Sequence, residues 1–260
     1  MPAERTRNHL LQQLAQADAT SFARLFDEME PVPLDRSAVL GPARLRSEWV
    51  YFVESGIVSM VASTSDGSSV EVAIIGREGV AGVADALGEQ PLPYRLLVQV
   101  PGLAYRAPRA VIRQHILSCT RLHELLMDYS QHVVHQVTQS ALCNRFHSSG
   151  QRLARWLLLT AERAEANRFE LTHEFVAQMV GAPRSAVSAA AAALRSKGII
   201  EYRRGVLTIK NPAKLHKVAC ECFDNLSWQN GWSAASQSPA SPSNRLERRK
   251  ASSRGPRSSG

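Results

Sequence analysis

Hydrophobic positions along this chain recur first at a helical period, then at the short spacing of strands, then at a helical period again. Over residues 8–30, NHLLQQLAQADATSFARLFDEME, the apolar positions Leu10, Leu11, Leu14, Phe22, Leu25 and Phe26 fall three and four apart, which predicts two short helices. From Val32 to about Tyr105 the texture changes to β-prone runs (WVYFVESG, IVSMVAST, SSVEVAII, YRLLVQV, LAYRA) broken by Gly, Pro and Ser. Strands at intervals of about 8–12 residues with such turn signals predict a β-sandwich or barrel, most simply a jelly roll. Ser65-Asp66-Gly67 reads as a hairpin turn between two of them. Helical spacing then returns, with Leu122, Leu125, Leu126, Tyr129, Val133, Val137 and Ala141 forming a seam close to an a/d repeat. A long helix with such a seam is suited to pairing with a second copy through Leu122, Leu126, Tyr129, Val133, Val137 and Ala141; packing on its own β-domain is the alternative. Ser148-Ser149-Gly150 reads as a break, and residues 151–163 as a further helix with Leu153, Trp156, Leu157 and Leu159 apolar.

Residues 171–200, LTHEFVAQMVGAPRSAVSAAAAALRSKGII, carry the most specific pattern. Thr172 is placed to cap a helix whose apolar face is Phe175, Val176, Met179 and Val180, and Glu174 sets a carboxylate at the positive end of its dipole. Gly181 stops that helix and Pro183 suits the first turn of another. In the second helix Val187, Ala190, Ala191 and Leu194 face inward. Arg184, Ser185, Ser188, Ala189 and Ala192 are left outward as a small, mostly uncharged surface. This is helix-turn-helix spacing, in which the start of the second helix meets base edges in the major groove, although an ordinary helical corner has the same spacing. The β-prone runs Ile199–Tyr202 and Val206–Ile209 around Arg203-Arg204-Gly205 then add a short hairpin with a basic tip, a wing placed to touch phosphate.

Charge agrees with that division. The net charge is +8, yet residues 1–150 hold 13 basic and 15 acidic side chains, whereas residues 151–210 hold 10 and 5 and the tail from Ser227 holds 6 and 1. Only the helix-turn-helix end is basic, the footprint of a chain that meets nucleic acid with one domain. The Ser/Pro/Arg-rich residues 224–260 predict a disordered basic tail. The chain shows neither a long apolar run nor a secretory signal, so a cytoplasmic protein with no membrane contact is expected. The cysteines Cys119, Cys143, Cys220 and Cys222 read as reduced thiols, and Cys220-Glu221-Cys222 has neither zinc-knuckle nor CxxC spacing, so no metal and no cofactor are predicted.

The order of parts resembles the Crp/Fnr superfamily of bacterial transcription regulators. The resemblance is carried mainly by LTHEFVAQMVGAPRSAVSAAAAALRSKGIIEYRRGVLTI: Leu171-Thr172, the Gly181 turn, Arg184-x-x-Val187-Ser188 and Gly198-Ile-Ile leading into the wing. It implies an α+β chain: N-terminal helices (1–30), a cyclic-nucleotide-binding-like β-roll of double-stranded β-helix type (31–118), a dimerisation helix (119–148) and a winged helix-turn-helix (149–223). It also implies base contacts from Arg184, Ser185, Ser188 and Ala189, and phosphate contacts from Thr172, Arg195, Lys197, Arg203 and Arg204. The implied partners are double-stranded DNA, a second copy of the chain and RNA polymerase. Ala189 stands where a second recognition-helix arginine occurs in the family, so the preferred operator should differ from that of the cyclic-AMP receptor.

The effector pocket departs from the family. Where nucleotide-binding members have a Gly-Glu-Leu element, this chain has Gly82-Val83, and Arg95 in YRLL lacks the following Ser/Thr-Ala. An effector other than cyclic AMP is expected at Gly82, Val83 and Arg95, or none, in which case the β-roll is only a scaffold. A sensing or protein-binding module that no longer reads DNA is the remaining alternative. The first cysteine is Cys119, too late for the family's N-terminal iron–sulfur set, and His132 and His135 read as solvated or interfacial rather than as haem ligands. No histidine lies between Leu10 and Gln114 to serve a cupin-type metal, and GxSxG, GxxxxGK[ST] and HExxH are absent, so no catalytic residue and no enzyme activity are predicted.

Overall fold

A computed structural model describes residues 5–227. Helices α1 (His9–Ala17) and α2 (Ala19–Asp27) open the chain. The Asn8 side chain accepts from the Leu11 amide (3.2 Å) as the cap of α1 and donates to the carbonyls of Val53 (2.9 Å) and Gly79 (2.8 Å), which fastens the helix to the sheet. The β-roll follows as β1 (Glu30–Leu34), β2 (Val39–Gly41), β3 (Trp49–Ser63), β4 (Ser69–Ile75), β5 (Val80–Ala81), the short helix α3 (Val83–Leu87) and β6 (Tyr94–Pro108). The strands are antiparallel in the order β1-β6-β3-β4, with β2 on β6 and β5 on β3. Strands β3 and β6 shift register between Val53 and Val58, where Gly56 has φ +82° and a Cβ on Gly102 would lie 2.1 Å from the Ser55 carbonyl oxygen. Only glycine permits that close approach, and the two long strands bend there.

Beyond α4 (Arg109–Ser118) the long helix α5 (Thr120–Phe146) spans 27 residues. Helix α6 (Ser149–Ala164) then starts with a capping box in which Ser148 and Gln151 satisfy each other's backbone amides. The break therefore falls at His147–Ser148; Gly150 lies inside α6 with open space where a side chain would be. The C-terminal domain is completed by β7 (Arg168–Glu170), α7 (His173–Val180), α8 (Arg184–Ser196), β8 (Ile200–Arg203), β9 (Val206–Ile209), α9 (Pro212–His216) and α10 (Cys222–Leu226), its sheet ordered β7-β9-β8. Helix α10 corrects the expectation of a disordered tail from residue 224. Leu226 is buried and the Ser227 hydroxyl donates to Glu162 (2.6 Å), because an apolar Phe223/Leu226 face here packs against α6 and β3. The rest of that tail lies outside the described residues.

The two domains share buried contacts. Val61 and Leu97, from the outer face of β3 and β6, pack in the core built on α6 and the helix-turn-helix. The Arg163 Nε of α6 donates to Glu78 Oε1 (2.9 Å), both side chains being almost completely buried. A hydrogen-bonded chain crosses the same seam. The Ser59 hydroxyl lies 2.6 Å from Glu71 Oε2 and 2.7 Å from Gln99 Oε1, and Gln99 Nε2 donates to the Thr160 hydroxyl (3.0 Å). One hydroxyl proton serves one acceptor at a time: Ser59 donates to an ionised Glu71, and when it donates to Gln99 instead, the Glu71 contact is completed by the protonated carboxyl donating to Ser59. Burial favours the protonated form: it pushes the Glu71 carboxyl up to about 7 against the opposing pull of Ser59, Arg155, Trp156 and Arg163.

This predicts a pH signature. The folded protein holds the Glu71 proton more tightly than the unfolded chain, whose carboxyl titrates near 4.5. The Glu71 contribution is therefore full below that value and is lost as pH rises toward about 7. Replacing it in Glu71→Gln should flatten the stability-against-pH profile over this window, by up to about 1.4 kcal/mol per pH unit relative to wild type. Chemical denaturation at a series of pH values measures it, and parallel profiles would show that Glu71 does not titrate there.

Candidate nucleic-acid interface and effector cavity

The helix-turn-helix forms as its spacing predicts. The Thr172 hydroxyl accepts from the Phe175 amide (3.1 Å), Gly181 ends α7 at φ +64°, and α8 starts immediately after Pro183. On α8 Val187, Ala191 and Leu194 are buried and Ala190 is half-buried, while Arg184, Ser185, Ala189, Ala192 and Ala193 are exposed. Arg184 has only a long contact to Glu174 (3.9 Å) with both side chains in solvent, a pair that a base edge or phosphate displaces at small cost. Ser188 differs from the expectation. Its hydroxyl shares a 3.0 Å hydrogen bond with His173 Nδ1, whose ring lies 4.5 Å from that of Tyr202, so it braces α8 against α7 and the wing.

The predicted phosphate contacts are all in solvent. Thr172, Arg195 and Lys197 are exposed, Arg203 is 84% exposed beside Glu201 (2.9 Å), and Arg204 turns the wing at φ +49° followed by Gly205 at φ +79°. Two positive φ values in succession make the tight hairpin turn that sets β8 against β9. The β3–β4 hairpin tip, with Thr64, Asp66 and Ser68, shares an open cleft with Gln178, Gly181, Pro183 and Arg184, so the reading head sits beside its own β-roll.

The long helix carries two apolar faces. Leu122, Leu126 and Tyr129 are buried in the chain's own core, which removes them from the predicted dimer seam, and Val133 is half-buried on the same side. They fill the roof of the β-roll; Tyr129 lies on Gly79, whose hypothetical Cβ would be 2.1 Å from the phenol oxygen. Solvent instead meets Met127, Val134 (65% exposed), Val137, Ala141, Leu142 and Phe146, about a heptad stripe whose Val134 and Val137 border the β-roll. Periodicity at threes and fours fits both faces, and only the packing tells them apart.

Between α5 and the β-roll lies a cavity of about 290 Å³ lined by Met60, Ile75, Val83, Tyr94, Leu96 and Val137 among others. Gly82 and Val83 border it, but no charged side chain does. Arg95 is absent from the wall because Tyr94 and Leu96 on either side of it in β6 face the cavity, and alternate strand residues point to opposite faces. Its partner across the sheet is Val61. A cyclic phosphate therefore finds neither the glutamate nor the guanidinium it needs, whereas an apolar molecule finds an apolar wall. His132 is a core group whose burial pushes it down to about 4, and His135 is exposed.

Comparison with known proteins now decides the family. The model of the Crp-like helix-turn-helix domain matches residues 151–218, and that of the cyclic nucleotide-binding domain matches residues 46–118. The chain belongs to the Crp/Fnr family of transcription regulators. It is thus a regulator and not an enzyme. FixK2 from Bradyrhizobium japonicum has the same fold at 18% identity, covering 74% of this chain and 98% of that one with a TM-score of 0.62. The c-di-GMP-responsive global regulator CLP of Xanthomonas campestris is 16% identical, with 74% and 99% covered and a TM-score of 0.62. A crp/fnr-family transcriptional regulator from Eubacterium rectale is 13% identical, with 79% and 96% covered and a TM-score of 0.64. No curated protein matches the sequence. Among the described residues no helix of this Crp/Fnr regulator is long and apolar enough to cross a membrane.

The cavity sets an expectation for ligands. The uncharged fluorophore N-phenyl-1-naphthylamine should bind with an emission gain that Val133→Trp, filling the cavity, abolishes, while cyclic AMP should give no binding heat. Micromolar binding of cyclic AMP in calorimetry would refute this account of Gly82-Val83.

Proposed function

We propose that this regulator reads DNA as a homodimer, placing two copies of α8 in successive major grooves about 34 Å apart on a pseudo-palindromic operator. The observation that carries the proposal is the exposed face of α8, with Arg184, Ser185 and Ala189 in solvent, beside a wing whose Arg203 and Arg204 are free of buried contacts. In this reading Arg184 and Ser185 meet base edges, and Ala189 presses on a thymine methyl. Thr172, Arg195, Lys197, Arg203 and Arg204 meet phosphate. Ser188 acts mainly by holding α8 through His173. The operator is the chain's own, because Ala189 cannot make the bidentate guanine contact of an arginine.

The dimer forms through the outer stripe of α5, from Met127 through Val134, Val137 and Ala141 to Phe146, which is supported by the exposure of so many apolar side chains on one helix face. Control comes from an apolar small-molecule effector in the cavity between the β-roll and α5, and RNA polymerase is the downstream partner in the cytoplasm. The cavity supports this because α5 supplies part of its wall and part of the proposed dimer stripe, Val134 and Val137 belonging to both. An effector that prefers one packing of α5 shifts the dimer by its differential affinity, and no further. A ligand-independent regulator remains the second reading, favoured only by the close fit of Tyr129 on Gly79 that makes this seam rigid.

Selection of bound sequences from a random DNA library tests reading, half-site spacing and preference together. With the selected operator, Arg184→Ala should cost about 1–3 kcal/mol and relax preference at one base pair per half-site. Arg203→Ala should instead weaken cognate and random DNA equally and reduce the salt slope by about one. Equal loss on both DNAs for Arg184→Ala would move it to the phosphate group. For the dimer, Val134→Glu should turn a sedimenting dimer into a folded monomer, and an unaltered dimer would place the interface elsewhere.

A further inference from the structure

Three cysteines and a histidine from distant parts of the sequence meet at the junction between α5 and the C-terminal domain. Cys143 lies one turn before the end of α5 and His147 closes it, while Cys220 and Cys222 flank Glu221 at the entry to α10. The three thiols are buried and unoxidised, and the ligating atoms of all four residues lie within 4.8 Å of one another. Cys143 Sγ is 3.6 Å from Cys220 Sγ, and Cys222 Sγ is 3.4 Å from His147 Nδ1. A tetrahedral ion held about 2.3 Å from sulfur and about 2.0 Å from nitrogen sets its ligand atoms about 3.5–3.8 Å apart; the Cys143–Cys220 and Cys222–His147 spacings already match, and the widest separation in the group, within 4.8 Å, closes by about 1 Å through side-chain rotation.

We propose that Cys143, His147, Cys220 and Cys222 form a Cys₃His site for one thiophilic divalent cation, Zn²⁺ foremost, which ties the end of the long helix to the end of the DNA-binding domain. The surroundings suit that ion. His147 turns Nδ1 to the thiols, and its Nε2 lies 3.2 Å from Glu221 Oε1, the carboxylate–histidine arrangement that fixes the tautomer and orientation of a ligating imidazole. Gln139 Nε2 is 3.0 Å from Cys222 Sγ, a hydrogen bond that stabilises a thiolate. Three thiolates leave a divalent complex with one net negative charge. The buried Arg155 guanidinium of α6 acts electrostatically on Cys143, and its Nε and Nη1 have no hydrogen-bond partner in the structure. Three sulfur ligands discriminate against Mg²⁺ and Ca²⁺, and four protein ligands make a closed, structural shell with no place for a substrate. The proposal departs from the sequence-based prediction of no metal, which at this position rested on the Cys220–Cys222 spacing.

The test uses the full chain, reduced and stripped with a chelator, then titrated with Co²⁺. One Co²⁺ per chain is expected, with the thiolate charge-transfer band and strong visible absorption of tetrahedral cobalt, displaced by Zn²⁺. Cys119→Ser, at the other end of α5, should leave the spectrum unchanged, Cys222→Ser should lose it, and Glu221→Gln should keep its shape while weakening affinity about 10–100-fold. Should Cys222→Ser fail to fold, wild-type protein suffices: Zn²⁺ should protect Cys143, Cys220 and Cys222 from alkylation, read by peptide mass. A reduced protein without the charge-transfer band, a spectrum retained in Cys222→Ser, alkylation indifferent to Zn²⁺, or a Cys143–Cys220 disulfide whose reduction brings no cobalt uptake would each overturn the site. None of these readouts involves DNA.

Discussion

The arrangement of this molecule rests on one buried ion pair, Arg163 with Glu78. Arg163 belongs to α6, the floor of the DNA-binding domain; Glu78 belongs to the β-roll and also accepts from the Gly76 amide (2.9 Å). The same guanidinium reaches the Leu226 carbonyl (3.4 Å) at the end of α10. Three segments that share no sequence neighbourhood are thus held by one side chain. Removing either partner would leave the other charge alone in so dry a place, at a cost of about 3–5 kcal/mol. The helix-turn-helix, its wing and the α5–α6 break take their positions relative to the roll from this tie and from the neighbouring Glu71–Ser59–Gln99–Thr160 chain.

Much of the fold was legible in the sequence wherever one local rule settled the matter. Thr172, Gly181 and Pro183 bound the helix-turn-helix by capping and backbone conformation, and Arg204-Gly205 turns the wing because both positions adopt positive φ. What escaped was decided by packing between distant residues. The seam on α5 has a periodicity that serves two faces, so spacing alone places Leu122, Leu126 and Tyr129 outward although the β-roll takes them inward. Ser188 lay on the outer face of a helical wheel, yet His173 from the preceding helix occupies its hydroxyl. The Cys/His cluster was invisible for the same reason: its members lie in two pairs more than seventy positions apart in sequence, and neither pair has a recognisable spacing.

The cavity under α5 combines a tight backbone turn with an apolar wall. Gly82 adopts φ +85° and its hypothetical Cβ would meet the Trp49 carbonyl at 2.8 Å, so the backbone makes a tight entry to α3. The side chains around it include Val, Leu, Met and Tyr, which solvate no anion.

The run Ala189–Ala193 on α8 has a consequence for how such a regulator changes over evolutionary time. Alanine is the strongest helix former, so α8 draws much of its helicity from its own backbone, and only Ala191 of the five is deeply buried. Replacing Ala189, Ala192 or Ala193 by an ordinary polar residue costs a few tenths of a kcal/mol in helix propensity and disturbs no core contact. The proposed reading surface is thereby nearly decoupled from the stability of the fold. On the proposed reading of DNA by α8, a duplicated copy of this chain could explore new operators by single substitutions there without first acquiring a compensating change elsewhere.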